Sequence, residues 1–162
     1  MKIRLAMMLG LAAALMVPAM TGQASAVAGK CPVERVVYRM DGTDAVLRLR
    51  PDDHHDVFSD LGAVLTVSGK EWKLRLEESN GLPFDTFSVI DPSDPTKTVE
   101  KGGFRAYFFD KKVAPSGLPN TGKPAPAYIF TPELSYWFWY GEAIPGDRVG
   151  IPMKMWKPSG CE

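Results

Sequence analysis

The chain is poor in the residues that do most side-chain chemistry. It holds two histidines, adjacent at His54 and His55, and two cysteines, Cys31 and Cys161. With imidazole confined to one spot, acid–base work elsewhere falls to carboxylates, Lys or Tyr. No Gly-x-Ser-x-Gly elbow occurs, no Ser-x-x-Lys with its partners, and no phosphate-cradling glycine loop. Charge of one sign is also missing, since 19 basic residues face 19 acidic ones. Nucleic-acid binding needs a concentrated positive field, and this balance argues against it. After the first 20 residues no apolar run is long enough to span a membrane, which takes roughly 20 residues as a helix.

The N-terminus carries an export pattern. Lys2 and Arg4 precede an uncharged apolar run from Leu5 to Val17, broken by Pro18. Small residues follow to Ala24-Ser25-Ala26, a fitting site for signal peptidase, so cleavage is expected after Ala26. Residues 27–162 then form a single domain. Without Lys2 and Arg4 that domain is slightly acidic. The expected location is secreted or periplasmic. In an oxidising compartment two thiols usually join, so Cys31 and Cys161 are expected to staple the ends of the domain. They lack the Cys-x-x-Cys spacing of a redox pair.

What is abundant is turn chemistry, with 14 prolines and 15 glycines, and hydrophobic alternation of period two. Strands are expected over 33–40, 45–50, 63–67, 72–77, 84–90, 104–109, 127–131, 136–140 and 148–156. The clearest hairpin joins Ala63, Leu65 and Val67 to Trp72, Leu74 and Leu76 through the turn Ser68-Gly69-Lys70-Glu71. One helix is expected near residues 52–61, with Asp52 or Asp53 capping, an apolar stripe of Val57, Phe58 and Leu61, and Gly62 ending it. Residues 113–127 hold four prolines and read as a long loop. The pattern predicts an all-β fold: a small antiparallel barrel or sandwich of eight to nine strands with that one short helix.

Three places carry candidate chemistry. His54 and His55 sit with Asp52 and Asp56, ligand types that suit zinc or copper, although adjacent helical side chains diverge by about 100°. A polar start to a helix explains the same residues without metal, and no other cofactor is expected. Met153 and Met155 share a period-two face with Val149 and Ile151 and read as a core stripe. Tyr136-Trp137-Phe138-Trp139-Tyr140, read as a strand, puts Trp137 and Trp139 on one face and Tyr136, Phe138 and Tyr140 on the other. Either that strand is central, or one aromatic face lines a pocket or a partner surface.

Three fragments resemble the exported inhibitors of c-type lysozyme, small β-barrels with a bonded cysteine near each end. They are Tyr38, Ser68-Gly69-Lys70 with Trp72, and Phe138-Trp139-Tyr140-Gly141 followed by Cys161. Met40 stands where the family has its early cysteine, and the last two fragments are far apart here but close together there. The resemblance implies that Ser68 and Lys70 lie on a loop that enters the enzyme's cleft.

Without a catalytic constellation, the expected role is non-enzymatic binding of a protein or an envelope component. Ser68, Lys70 and the aromatic run (Tyr136, Trp137, Trp139, Tyr140) would supply the contacts. A barrel carrying a small apolar ligand and a metal protein at His54 and His55 are the alternatives.

Overall fold

The computed structural model describes residues 31–55, 57–140 and 149–162. The expected export leader over 1–26 and the candidate ligand Asp56 lie outside them. Eight antiparallel strands close into a barrel. They are β1 (Val36–Met40), β2 (Val46–Pro51), β3 (Leu61–Val67), β4 (Lys70–Glu78), β5 (Asp85–Asp91), β6 (Asp94–Phe109), β7 (Tyr128–Phe130) and β8 (Trp156–Cys161). Each strand pairs with the next, and β8 returns to β1 through Met40 opposite Trp156 and Val36 opposite Cys161. Closure removes the two free edges an open sheet would leave.

Alternation supplies the interior. Tyr38 and Met40 on β1, Leu47 and Leu49 on β2, Leu61, Ala63 and Leu65 on β3, and Leu74 and Leu76 on β4 all face one core. Phe87, Phe104, Phe108, Ile129 and Trp156 complete it. Trp156, Tyr38, Phe87 and Phe138 are the largest fully buried side chains. An eight-stranded barrel is just wide enough for side chains to fill. Each large ring buried there contributes about 1.5–3 kcal/mol. Their polar atoms are met. Trp156 Nε1 donates to Thr131 Oγ1 at 2.9 Å, and the Tyr38 hydroxyl donates to the Pro126 carbonyl at 2.9 Å. Burial pushes the Tyr38 pKa far up, so it stays a neutral donor.

Antiparallel order sorts the connections between two mouths. The disulfide, the 52–60 segment, the 79–84 loop and the 110–127 loop share the first mouth. The Ser68-Gly69 turn, the Pro92-Ser93 turn and the described parts of the connection from β7 to β8 (131–140 and 149–155) share the second. The Cys31–Cys161 disulfide is formed, with Cα atoms 6.1 Å apart, and it fastens the end of β8 to the segment before β1.

Three expectations are corrected. Residues 52–55 and 57–60 form turns and bends, with no helix. The Asp52 carboxylate accepts the His54 N–H at 3.0 Å and the Asp52 N–H donates to the Asp60 carbonyl at 3.0 Å. These bonds close a loop at its neck, the local competition that Asp offers to helix. Among the described residues the one α-helix is instead α1 (Leu134–Trp139), in the segment expected as a strand. The last strand begins at Trp156, and 149–155 is irregular, so Met153 is 64% exposed rather than part of a core stripe. Smaller shifts are a 3-10 turn at Val33–Arg35 ahead of β1, and a β6 that starts ten residues early, at Asp94.

Candidate functional site

The second mouth gathers most of the sequence-selected residues. Helix α1 lies in the connection from β7 to β8. A helix repeats every 3.6 residues, so positions i, i+3 and i+4 share a face. Leu134, Trp137 and Phe138 are one such set and are buried. Tyr136, Trp139 and Tyr140 are another, and they are 60%, 49% and 65% exposed. The buried set packs edge-on against Trp72 of β4, with centroids 5.1 Å away for Phe138 and 6.3 Å for Trp137. Phe104 of β6 lies 5.9 Å from Trp137. Glu133, just before α1, takes the N–H and guanidinium of Arg105, tying the helix to β6. On the outer face the Tyr136 and Tyr140 rings stack at 4.3 Å. The helix is thus a lid whose inner face is locked and whose outer face offers aromatic rings. Trp137, selected as a binding residue, sits on the locked face at 6% exposure. Its Nε1 has no hydrogen-bond partner among the described residues.

The β3–β4 turn is tighter than the four residues expected. Val67 pairs with Lys70, leaving Ser68 and Gly69 as the turn, both with positive φ (49° and 74°). That is the two-residue I′ geometry, whose twist matches the flanking strands. Asp44 Oδ2 accepts the Ser68 N–H at 3.0 Å and braces the tip against the β1–β2 connection. Ser68 and Lys70 are both exposed.

Beside this hairpin β5 peels away from β4. Their ladder runs from Glu78–Asp85 to Leu74–Val89 and ends there. The β5–β6 register shifts between Ser88 and Ile90, and again between Ile90 and Asp91. A slot of about 480 Å³ opens between arm and strand. Arg75 holds the arm: Nη2 donates to the Pro95 carbonyl at 2.9 Å, Nη1 to the Thr96 carbonyl at 3.3 Å, and Nε pairs with Asp52 Oδ2 at 3.2 Å. The Arg75 and Asp52 side chains are both about nine-tenths buried. The missing Cβ of Gly62 permits this, since one there would stand 2.5 Å from the Leu74 carbonyl and 3.3 Å from Asp52 Cβ.

The histidines lie toward the other mouth. His54 lines an outer groove of about 390 Å³ with Arg50 and Lys73. Asp52 is occupied by Arg75 and by the His54 amide, and Asp56 is outside the described residues. Among the described residues no group of three or more His, Cys, Asp or Glu is placed to hold a metal ion. The proline-rich loop forms a separate pocket of about 430 Å³ at the first mouth.

Sequence reasoning missed Arg75, which sits at a position that alternation assigns to the wet face. It also missed Asp85, on the inward register of Phe87 and Val89. No spacing rule flags either, because each is made unusual by what packs on it. Comparisons with known proteins return no matching family model, no matching curated protein and no matching solved structure.

Proposed function

We propose that this chain is an exported, non-enzymatic β-barrel that binds a protein partner at its second mouth. One observation carries the reading: α1 turns Tyr136, Trp139 and Tyr140 outward while its other face is locked on Trp72 and Phe104. Large rings on a rigid support give contact area at low entropic cost, which is why they dominate binding hot spots. The side chains that fill the barrel favour a surface role over a ligand carried inside. The ion pair of Asp52 with Arg75 favours a structural role for the His54–His55 segment over metal binding. The export pattern and the terminal disulfide favour a secreted or periplasmic setting.

The test is capture from envelope extract, followed by reconstitution with the purified partner. A Tyr136→Ala/Trp139→Ala/Tyr140→Ala variant should keep the wild-type melting temperature and lose at least tenfold in affinity. Equal binding by the two proteins, or a partner that proves to be lipid or glycan, would refute the reading.

A second reading has its own support. The Trp72–Phe138 contact brings together two of the fragments that resemble lysozyme inhibitors, despite their separation in the chain. On that reading wild type inhibits a c-type lysozyme and Ser68→Ala/Lys70→Ala does not. Full enzyme activity in the presence of excess wild-type protein removes it.

A further inference from the structure

We infer that the outer wall of the barrel over β5, β6 and β7 binds a neutral oligosaccharide through a grid of ring side chains. The inference goes beyond the protein-binding reading and uses a surface other than the outer face of α1.

Where one face of an antiparallel sheet meets the core, alternation ordinarily leaves the other face polar. Here Ala106, Phe108 and Ile129 are buried in the core, so Tyr107, Phe109, Tyr128 and Phe130 point outward. Tyr107 pairs with Phe130, and Phe109 pairs with Tyr128. Directly paired residues share a face. The array continues on the other side of β6. One step beyond the Asp85–Ala106 pair, Phe84 meets Tyr107, with ring centroids 5.8 Å apart. Next to it the chain after β6 folds back: the Ser116 N–H donates to the Phe108 carbonyl at 2.9 Å, and Pro115 bridges to Phe109. The result is two rows of three rings. Phe84, Tyr107 and Phe130 form one row; Pro115, Phe109 and Tyr128 form the other. Pro115 is exposed and the other five are partly exposed.

Size and charge choose the occupant. Strands lie about 4.8 Å apart and residues rise about 3.4 Å each, so the grid spans roughly 10 Å by 7 Å. A stable protein interface takes about 800 Å² from each partner, far more than such a span supplies. Docking on an anionic bilayer takes a cluster of about four or more basic residues, and the six grid residues carry no charge. The charges that flank them along β6 are matched. Arg105 pairs with Glu133 and lies 5.3 Å over the Phe84 ring, and the Asp110 carboxylate accepts the N–H groups of Lys112 and Ala114. The fitting ligand is therefore small and uncharged, with apolar faces for the rings and polar groups for the Tyr107 and Tyr128 hydroxyls, which both donate and accept. A pyranose has both, a face of C–H bonds and a rim of hydroxyls. Its slightly positive C–H groups meet the negative faces of aromatic rings. The Tyr107 ring is tilted by 54° to Phe84 and by 39° to Phe130. That suits successive sugar units, which can tilt one by one, better than a flat fused-ring ligand.

The probes are cellotriose, chitotriose and maltotriose, added separately to the disulfide-bonded protein. At least one should bind at millimolar concentration and shift the amide NMR signals of Tyr107, Phe109, Tyr128 and Phe130. Tyr107→Ala/Tyr128→Ala removes one ring from each row and should cost at least tenfold in affinity. If that variant does not fold, the map of shifted amides on the wild-type protein carries the test. Failure of all three sugars to bind at millimolar concentration overturns the inference. So does equal binding by wild type and the folded alanine variant, or a map of shifts that lies on α1 or at the first mouth and leaves β6 and β7 unmoved. The Tyr136→Ala/Trp139→Ala/Tyr140→Ala variant should bind the sugar as wild type does, and loss of binding there would also overturn the inference. A failed capture experiment beside a sugar-bound β6–β7 wall would count against the protein partner alone, and a failed sugar titration beside a captured protein would count against the wall alone.

Discussion

Asp85 faces Glu78 across the β4–β5 ladder, on the same inward register as Phe87 and Val89. Burial raises its pKa from the ordinary 3.8 to about 6, and the Glu78 carboxylate adds to the rise. The folded state therefore holds this proton more tightly than the unfolded chain does. Its contribution to stability is present at acidic pH and is lost as pH rises from 3.8 through about 6. Asp85→Asn fixes the neutral form. Melting temperatures of the two proteins should coincide near pH 4 and diverge above it, with the variant the more stable at pH 7. Parallel curves would show that Asp85 is not perturbed. The charge of Asp85 is legible in the sequence, and so is its parity with Phe87. What is not legible is that the β4–β5 register brings Glu78 opposite it. Arg75 is the same case, since its place in a strict alternation says solvent while the Ile90–Pro95 arm folds over it.

At the scale of elements, α1 shows where periodicity runs out. Every residue from Leu134 to Tyr140 except Ser135 is apolar or aromatic. Such a run carries neither a period of 2.0 nor one of 3.6, and aromatic residues favour strands by propensity. Tertiary packing decides it. As a helix the run divides into a set that fits Trp72 and Phe104 and a set that faces water. As a strand it would turn Trp137 and Phe138 to opposite sides. Phe138→Ala removes the inner ring and should destabilise the protein by about 3–5 kcal/mol, read from denaturant unfolding. Exchange of the α1 amides should rise toward the global unfolding rate. A loss below about 1 kcal/mol would mean that the lid is not part of the cooperative core. The β3–β4 hairpin is the opposite case. There alternation and turn chemistry agree, and the structure follows them to within a residue.

At the scale of the whole molecule, closure depends on the narrowest seam. Strand β7 has three residues and meets β8 through the single pair Ile129–Trp156. The β1–β8 pairing and the disulfide carry the other side of β8, and Glu162 adds ion pairs with Arg48 at 3.1 Å and Arg50 at 2.5 Å. The bridge spans a separation of 130 residues, so the unfolded chain loses much of its freedom when it forms. Cys31→Ala/Cys161→Ala should cost up to about 5 kcal/mol by the loop-entropy relation. An unchanged denaturation midpoint would mean that the bridge contributes nothing beyond the β1–β8 ladder. The sequence by itself determined the all-β class, the staple and the main hairpin, because period-two burial and turn residues act over a few neighbours. Only the tertiary structure decided that the sheet closes, that the aromatic run coils into a lid and that Arg75 is covered by the Ile90–Pro95 arm. Those outcomes depend on which surfaces meet across the barrel, and no local pattern encodes that.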